Sequence, residues 1–490
     1  MQVNVKRKEA KYLPDCSRVI AQFTDHREET GKRIIKYVIN MSDEDVSREI
    51  GQVLRDYVKR HRNITKIFER NFGKLENLFK ELEIKQSELS HERKILIGSY
   101  YTKEYSVEST AFFNPSIVLH PDQTELQPGD KRVILSFRAT GEGHISSIVF
   151  RTGIIDKDNN LSLRSRGIML DEPEKVTQFV YNKQSFKNKL EHMKFYDNTL
   201  PPSVILKQLD ESFTYKDLKK VVDETKKTYK FSEKKTLSLD QIMWVAFSHY
   251  EVVFSLDTSL SERIIFPIAI TERNGIEDAR FVRFTDEDGS CRYYATYTAW
   301  DGSIILPKII ETESFYKFRF SPLEGKAAIN KGMALFPKKI KGKYVMMSRI
   351  DGINNYISFS DDCRVWNKAK LLQEPKHPWE LIKIGNCGSP IETDEGWLVI
   401  SHGVGPMKEY VIGASLFDLD DPTKEIGRLR TPLMMPDEGE REGYVPNVIY
   451  SCGSIVNNDE LILPYGISDY ASTYACINIK ELTDAINKSN

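Results

Sequence analysis

The sequence predicts a mainly β protein: a five-bladed β-propeller with an N-terminal helical extension and a helical insertion between blades one and two. Three observations lead to this fold class. After about residue 100, short aromatic and β-branched runs are separated by Gly, Asp and Asn turns. One type of strand-like segment recurs at intervals typical of propeller blades, and two other segments show helical periodicity. The predicted domains are a helical extension over 1–99 and a propeller over 100–490, which contains the insertion at about 171–245.

The N-terminal extension carries helical signals from about residue 42. Ser42 and Asp45 have the spacing of a capping box, and apolar residues follow at intervals of three and four. One apolar face results, which is typical either of packing on the main domain or of subunit association. The pattern leaves both interpretations open, including a homo-oligomer formed through the helical additions.

Five predicted strands share one form, in which a polar turn leads into a strand that ends beside a polar or charged residue. The segments are PGDKRVILSFRATGEG, DEDGSCRYYATYTAWDG, KIKGKYVMMSRIDG, TDEGWLVISHGVG and VNNDELILPYGISD. The last four end near Tyr297, Arg349, His402 and Gly466, at intervals of 52, 53 and 64 residues. These intervals are typical of four-stranded propeller blades.

The interval between the first two of these strands, 159 residues, is too long for one blade. Its charged stretch from about 171 to 245 contains two pairs at capping-box spacing, Thr214 with Asp217 and Ser238 with Gln241. Each pair precedes a helix-like run, so the sequence predicts a helical insertion here.

Composition excludes several classes of partner and compartment. Lys plus Arg (70) nearly equals Asp plus Glu (71), which gives no reason to expect a nucleic acid or an anionic membrane as partner. The six cysteines are scattered without CxxC pairs, and no apolar run has the length of a secretory signal or a membrane span. We therefore expect a cytoplasmic protein with free thiols.

Polar residues at the ends of the innermost propeller strands are expected to converge on one funnel. The candidates at or beside these ends, or on neighbouring turns, are Asn114, Arg138, Glu277, Asp278, Asp301, Arg349, Asp351, His402 and Asp469. Carboxylates and cations gathered in one cleft are typical of glycosyl transfer, in which an acid protonates the leaving oxygen.

Several of these motifs, taken in order, resemble glycoside hydrolase family 130, the β-mannoside phosphorylases and their hydrolytic relatives. The resemblance rests on Glu277-Asp278-Ala279-Arg280, YYATYTAWDG, INKGMALFPKKIKGKYVMMSRIDG, GNCGSPIETDEGWLVISHGVG and YGISD, and covers roughly residues 100 to 485 without the insertion. Position 279 is Ala where the family usually has Pro, and Lys331 stands where Arg is frequent.

The resemblance implies an inverting enzyme that cleaves β-mannosides with inorganic phosphate and forms mannose 1-phosphate. Asp278 would be the single catalytic acid, acting through a sugar hydroxyl, and Lys331, Arg349 and His402 would hold the phosphate. The expected substrate contacts are Asn114, Arg138, Glu277, Tyr297, Asp301, Asp351 and Asp469. The partners would thus be a β-mannoside oligosaccharide and phosphate.

Two other functions remain open. A hydrolase of the same bonds would need a second carboxylate as general base, for which Glu277 and Asp351 are the candidates. A non-catalytic propeller would bind glycans or proteins through its funnel. The sequence has no P-loop, HExxH or GxSxG motif and no metal-ligand spacing among its nine histidines. We therefore expect no metal and no organic cofactor, only phosphate as co-substrate.

Overall fold

The computed structural model describes residues 3–167, 169–173, 175–178, 180–192, 202–228, 239 and 242–489. Within these ranges the chain is mainly β, and its helices are concentrated before residue 101. Every helix in the described ranges is too short or too polar to cross a membrane.

Five helices follow one another in the N-terminal region: α1 Glu28–Asn40, α2 Asp43–Tyr57, α3 Ile64–Gly73, α4 Glu76–Glu81 and α5 His91–Tyr100. Ser42 caps α2 as the sequence predicts, because its side chain accepts the N–H of Asp45 at 3.1 Å. The apolar faces of these helices pack together around Ile35, Phe68 and Leu96. Their common core accounts for the periodicity read from the sequence.

The predicted extension over 1–99 is not wholly helical. Strand β1 (Val5–Arg7) pairs antiparallel with a strand at the C-terminal end of the chain, and β2 (Val19–Phe23) pairs with β3 (Thr102–Ser106). A buried ion pair between Arg18 and Glu108 fixes the chain beside β2, and Glu108 also pairs with Arg151. Short strands of this kind take their partners from distant segments, so local periodicity does not reveal them.

Most of the chain after residue 110 forms five antiparallel sheets, here named sheets I to V. Sheet I contains β4 Ala111–Leu119, β5 Lys131–Thr140, β6 Ser146–Ile155, β7 Leu161–Leu163 and β12 Ile264–Ile265; sheet II contains β8 Lys175–Gln178, β11 Tyr250–Val253, β13 Ile276–Thr285, β14 Cys291–Trp300, β15 Ile305–Thr312 and β16 Lys317–Pro322. Sheet III contains β17 Lys331–Leu335, β18 Tyr344–Arg349, β19 Asn355–Ser360 and β20 Ala369–Gln373; sheet IV contains β21 Lys383–Asn386, β22 Ile391–Thr393, β23 Gly396–Val404, β24 Tyr410–Phe417 and β25 Glu425–Arg428. Sheet V contains β26 Ile449–Tyr450, β27 Ile455–Asn457, β28 Glu460–Ile467 and β29 Ala471–Asn478, together with β1.

Each sheet contacts the next, and sheet V contacts sheet I. The contacts run from β4 to β13, from β14 to β17, from β18 to β21, from β24 to β26 and from β28 back to β4. The five strands that the sequence predicts are β5, β14, β18, β23 and β28, one in each sheet. Their alternating apolar residues are buried between neighbouring sheets.

The predicted insertion at 171–245 contains α6 Lys183–His192, α7 Pro202–Leu206 and α8 Tyr215–Thr228. Thr214 and Asp217 form the predicted capping box, because each backbone N–H is accepted by the other's side chain. Ser238 and Gln241 lie outside the described residues. The range also includes strands: β8 extends sheet II, and β9 (Val180–Asn182) pairs with β10 (Ser212–Thr214). A final helix, α9 (Ile479–Lys488), follows β29.

Candidate active site

Two residues with left-handed backbone conformation bring the side chains of sheets I and II together. Asn114 (φ 49°) lies at a bulge in β4, and Asp278 (φ 52°) lies at a bulge in β13. The Asn114 amide donates to Asp278 Oδ1 at 2.8 Å. Asn and Asp tolerate this conformation better than other non-glycine residues, and bulges turn side chains out of the regular alternation. Both side chains are therefore directed to one point.

Asp278 is surrounded by positive charge. Arg138 Nη1 lies 3.5 Å from Asp278 Oδ1, and Arg280 Nη1 donates to the Asp278 carbonyl oxygen at 3.2 Å. Burial alone would raise the pKa of Asp278, but Arg138, Arg280 and the Asn114 amide outweigh it and hold the pKa below its ordinary value. In the free protein this carboxyl group is therefore ionised at neutral pH.

Glu277, next in sequence to Asp278, is held by two cations. Arg138 Nη2 donates to Glu277 Oε1 at 3.2 Å, and Lys331 Nζ forms an ion pair with Glu277 Oε2. The Arg138 guanidinium also lies over the Phe113 ring, 5.1 Å from its centroid. Glu277, on β13 of sheet II, thus links a cation of sheet I to a cation of sheet III.

Arg349 at the end of β18 is oriented by His402 of sheet IV. Arg349 Nη1 donates to His402 Nε2 at 3.0 Å, while His402 Nδ1 donates to the Asn386 carbonyl at 3.2 Å. Burial, with Arg349 and Lys383 nearby, keeps the pKa of His402 well below its ordinary value. His402 is therefore neutral, and it serves as an acceptor for Arg349 rather than as a third cation.

The close approach of Arg349 and His402 depends on a glycine. A Cβ on residue 385 would lie 2.3 Å from His402 Cε1 and 3.1 Å from Arg349 Nη1. Gly385 pairs directly with His402 in the register of β21 and β23. Any larger residue would displace the imidazole from the guanidinium.

Lys383 on β21 lies near the cations Arg349 and Lys331, but the sequence analysis did not identify it as a site residue. Burial and then the charges of Arg349 and Lys331 lower the pKa of Lys383 to about 8. Its ammonium lies over the Tyr410 ring, 4.8 Å from the centroid, and has no ion pair with the rest of the described chain. The signal in the sequence was a lysine that enters an apolar strand two residues before a glycine, in IKIGNCG.

Asp469 provides a third carboxylate. Ser468 and Asp469 both have positive φ, so the chain turns sharply after β28. Burial raises the pKa of Asp469 to about 6; Arg138 opposes this, and the negative charges of Asp278 and Glu277 add to it. Burial raises the pKa of the Tyr410 hydroxyl; the charge of Arg349 opposes this, and the charges of Asp469 and Asp278 add to it.

The structure therefore brings together most of the predicted site residues: Asn114, Arg138, Glu277, Asp278, Lys331, Arg349, His402 and Asp469. We call Glu277, Asp278 and Asp469 the carboxylate group, and Lys331, Arg349 and Lys383 the cationic group. Three or more His, Cys, Asp or Glu side chains arranged for a metal ion do not occur in the described part of the chain.

Three predicted substrate contacts are engaged elsewhere. Asp351 accepts the N–H groups of Ile353 and Asn354 at 2.9 and 2.8 Å, and so closes its own turn. Asp301 in the same way accepts backbone N–H groups two and three residues ahead. Tyr297 is buried, and its hydroxyl donates to Glu272 at 2.6 Å. Position at a strand end does not distinguish turn-forming carboxylates from residues that face the site.

Comparison with known proteins adds independent information. A family profile described as β-1,4-mannooligosaccharide phosphorylase, glycoside hydrolase family 130, matches residues 256–488. The chain is similar to a 1,2-β-oligomannan phosphorylase from Thermoanaerobacter sp. (strain X514), with 36% identity over 43% of this chain and 71% of that protein. It is also similar to a β-1,2-mannobiose phosphorylase from Listeria innocua serovar 6a, with 27% identity over 64% of this chain and 82% of that protein. The chain also superposes on the solved structure of the β-1,2-mannobiose phosphorylase from Listeria innocua in complex with β-1,2-mannobiose. The superposition covers 77% of this chain and 92% of that chain, with a TM-score of 0.46 and 20% identity.

Proposed function

Since the chain belongs to glycoside hydrolase family 130, we propose that it is a β-mannoside phosphorylase, which cleaves β-mannosidic bonds with inorganic phosphate and forms mannose 1-phosphate. The observation that carries this proposal is the presence of Asp278 and the cationic group in one site. A carboxyl group beside the sugar and a separate cluster of cations for the nucleophile are the two parts that phosphorolysis needs.

Phosphate fits the cationic group. It carries one to two negative charges at neutral pH, and guanidinium and ammonium groups are its usual protein ligands. Lys383 has an unpaired charge, and Arg349 Nε has no hydrogen-bond partner in the described ranges. Neutral His402 fixes the plane of the Arg349 guanidinium, so this fork is preorganised before the anion arrives.

Asp278 is proposed as the catalytic acid, acting through a hydroxyl of the bound sugar. Its lowered pKa in the free protein does not suit an acid, because the carboxyl must hold a proton. Bound phosphate would cancel part of the positive charge that lowers this pKa, so the group would gain its proton when phosphate binds. The attack of phosphate from the side opposite the leaving oxygen inverts the anomeric carbon.

The remaining contacts would hold the mannose unit that is transferred. Asn114 Oδ1 and Arg138 Nε have no hydrogen-bond partner among the described residues, although both side chains lie beside Asp278. Sugar hydroxyls can both donate to the amide oxygen and accept from the guanidinium. Glu277 and Asp469 would accept from further hydroxyls.

We further propose that sheets I to V are the five blades of a propeller. Each sheet contacts its neighbour in chain order, and the fifth contacts the first. Strand β1 adds the first residues of the chain to the last sheet, which would close the ring in a way common in propellers. Residues 1–99 and 100–490 would then be the extension and the catalytic domain. The extension and the insertion are candidates for a homo-oligomer interface, and the protein is proposed to be cytoplasmic, without metal or organic cofactor.

A hydrolase of the same bonds is the second candidate, and the environment of Asp469 favours it. Glu277 and Asp351, the bases that the sequence predicts, are both occupied by other contacts. Asp469 instead has a pKa near 6 and no ion pair with the described residues, so it could act as a base toward water. The distinction rests on whether phosphate is required.

The test is the release of mannose 1-phosphate and of free mannose from β-1,2- and β-1,4-mannosides, with and without millimolar phosphate. Wild type is compared with Arg349→Ala and, as a control, with Arg33→Ala on the exposed side of α1. Strict dependence on phosphate, with loss of activity in Arg349→Ala alone, supports the phosphorylase. Free mannose formed without phosphate supports the hydrolase, and binding of the sugar without either product supports a non-catalytic propeller.

A further inference from the structure

The segment between β25 and β26 lies against the turn that carries Asp469. Arg441 Nη1 pairs with Glu409 Oε1 at 3.0 Å in the turn after β23, and the N–H of Val445 donates to the Ser468 carbonyl at 3.0 Å. A Cβ on residue 443 would lie 2.4 Å from that same carbonyl, so Gly443 lets the two backbones meet. Residues 441–445 are thereby held directly beside Asp469.

Tyr444, at the centre of this segment, stacks on His144 of sheet I. The ring centroids are 4.7 Å apart with an interplanar angle of 30°. Tyr444 is 59% exposed, and His144 is also exposed, at the tip of the turn that joins β5 to β6. The Tyr105 side chain holds that turn in place, because its hydroxyl donates to the Glu142 carbonyl at 3.1 Å.

This aromatic pair, which we call the rim platform, is carried by two segments that adjoin strands and turns of the candidate site. His144 lies in the turn after β5, the strand that carries Arg138, and Tyr444 adjoins the turn that carries Asp469. Both anchoring segments are held by backbone hydrogen bonds, so the rings are presented in fixed positions. Exposed, rigid aromatic faces beside a polar cleft are suited to the apolar faces of sugar rings.

We propose that the rim platform of Tyr444 and His144 binds the sugar units that extend beyond the cleaved bond, so that the protein prefers oligosaccharides longer than a disaccharide. This inference rests on the proposed function. Asp278 and His402 are largely buried, whereas the platform is exposed. The cleaved bond must lie between the carboxylate and cationic groups, so the rest of the oligosaccharide must extend from these buried residues toward the surface, where the platform lies.

The test compares kcat/KM for β-mannobiose, β-mannotriose and β-mannotetraose at saturating phosphate in wild type, Tyr444→Ala, Tyr444→Phe and His144→Ala. One aromatic contact corresponds to about a tenfold change, so Tyr444→Ala should lose about tenfold with triose and tetraose. Its loss with mannobiose should stay under about twofold. Tyr444→Phe keeps the ring face and should behave as wild type, and the KM for phosphate should not change.

The control is Tyr37→Ala, which removes an exposed tyrosine on α1. Equal losses on all three chain lengths in Tyr444→Ala, or no loss at all, would overturn the platform while leaving the proposed function intact. Absence of phosphorolysis in wild type would instead remove the premise. A selective loss in His144→Ala as well as Tyr444→Ala would support a role for both rings.

Discussion

Two charged clusters in contact with sheet II have similar residues and opposite properties. The core cluster contains Glu272 and Lys308, which form an ion pair with both side chains fully buried. Tyr297 and Tyr250 donate to the same carboxylate at 2.6 and 2.8 Å, so its charge is satisfied on every side. The site cluster around Glu277 and Asp278 also pairs Glu with Lys and Arg, yet it leaves several donors and acceptors unused.

The unused groups are what separate the two clusters. Arg138 Nε, Arg349 Nε and Asn114 Oδ1 have no hydrogen-bond partner in the described ranges, and Lys383 has no counter-ion there. Leaving buried polar groups unpaired costs stability, so native structures rarely keep them without a reason. The core cluster uses charge to specify packing, whereas the site cluster keeps its charge available for a ligand.

The comparison predicts its largest effect at Asp278. Asp278→Asn keeps the side-chain volume and tolerates the positive φ, but it cannot supply a proton, so kcat should fall at least about a thousandfold. The free energy of unfolding should change little, since Asn114 and Arg138 can still contact the new side chain. Steady-state kinetics and urea unfolding of the same preparation measure both quantities. Retained activity would show that Asp278, like Glu272, only stabilises the fold.

At Lys308 we expect a large loss of stability and no change in the KM for phosphate. Lys308→Met leaves the Glu272 carboxylate buried without a counter-ion, which should lower the free energy of unfolding by about 3–5 kcal/mol. The folded fraction should keep the wild-type KM for phosphate, because Lys308 is fully buried against Glu272 and is not a member of the cationic group. The matched control is the double variant Glu272→Leu with Lys308→Met, which removes both charges and should recover much of the stability. A changed KM in Lys308→Met would break the distinction between the two clusters.

The same distinction explains what the sequence could and could not predict. The recurring strands and the capping boxes at Ser42 and Thr214 are local patterns, and the structure confirms them. Tyr297 is predicted to contact sugar from a position near a strand end, but it lies inside β14, and its hydroxyl donates to Glu272, which is 25 residues away in sequence. Lys383 was missed for the same reason. Whether a charge is paired depends on neighbours from other sheets, and one sequence does not report them.

The smallest of these effects, and the one most specific to the cationic group, is expected at Lys383. Replacing it by Met should raise the KM for phosphate by about tenfold, the scale of one charge-assisted contact. Stability should rise rather than fall at pH 7. The pKa of Lys383 is about 8 in the folded protein, below that of an unfolded lysine, so the native state disfavours the charge.

That cost is fully present below pH 8 and disappears as Lys383 loses its proton above it, so wild type should gain stability between about pH 8 and 10.4 and Lys383→Met should gain less. Phosphate binding should draw a proton onto Lys383 at pH 8, which calorimetry in buffers of different ionisation enthalpy detects and which the variant should lack. Lys370→Met, an exposed lysine on the outer strand of sheet III, is the control. An unchanged KM for phosphate would mean that an unpaired, half-buried lysine can persist here without a ligand, and the contrast between the two clusters would then no longer indicate function.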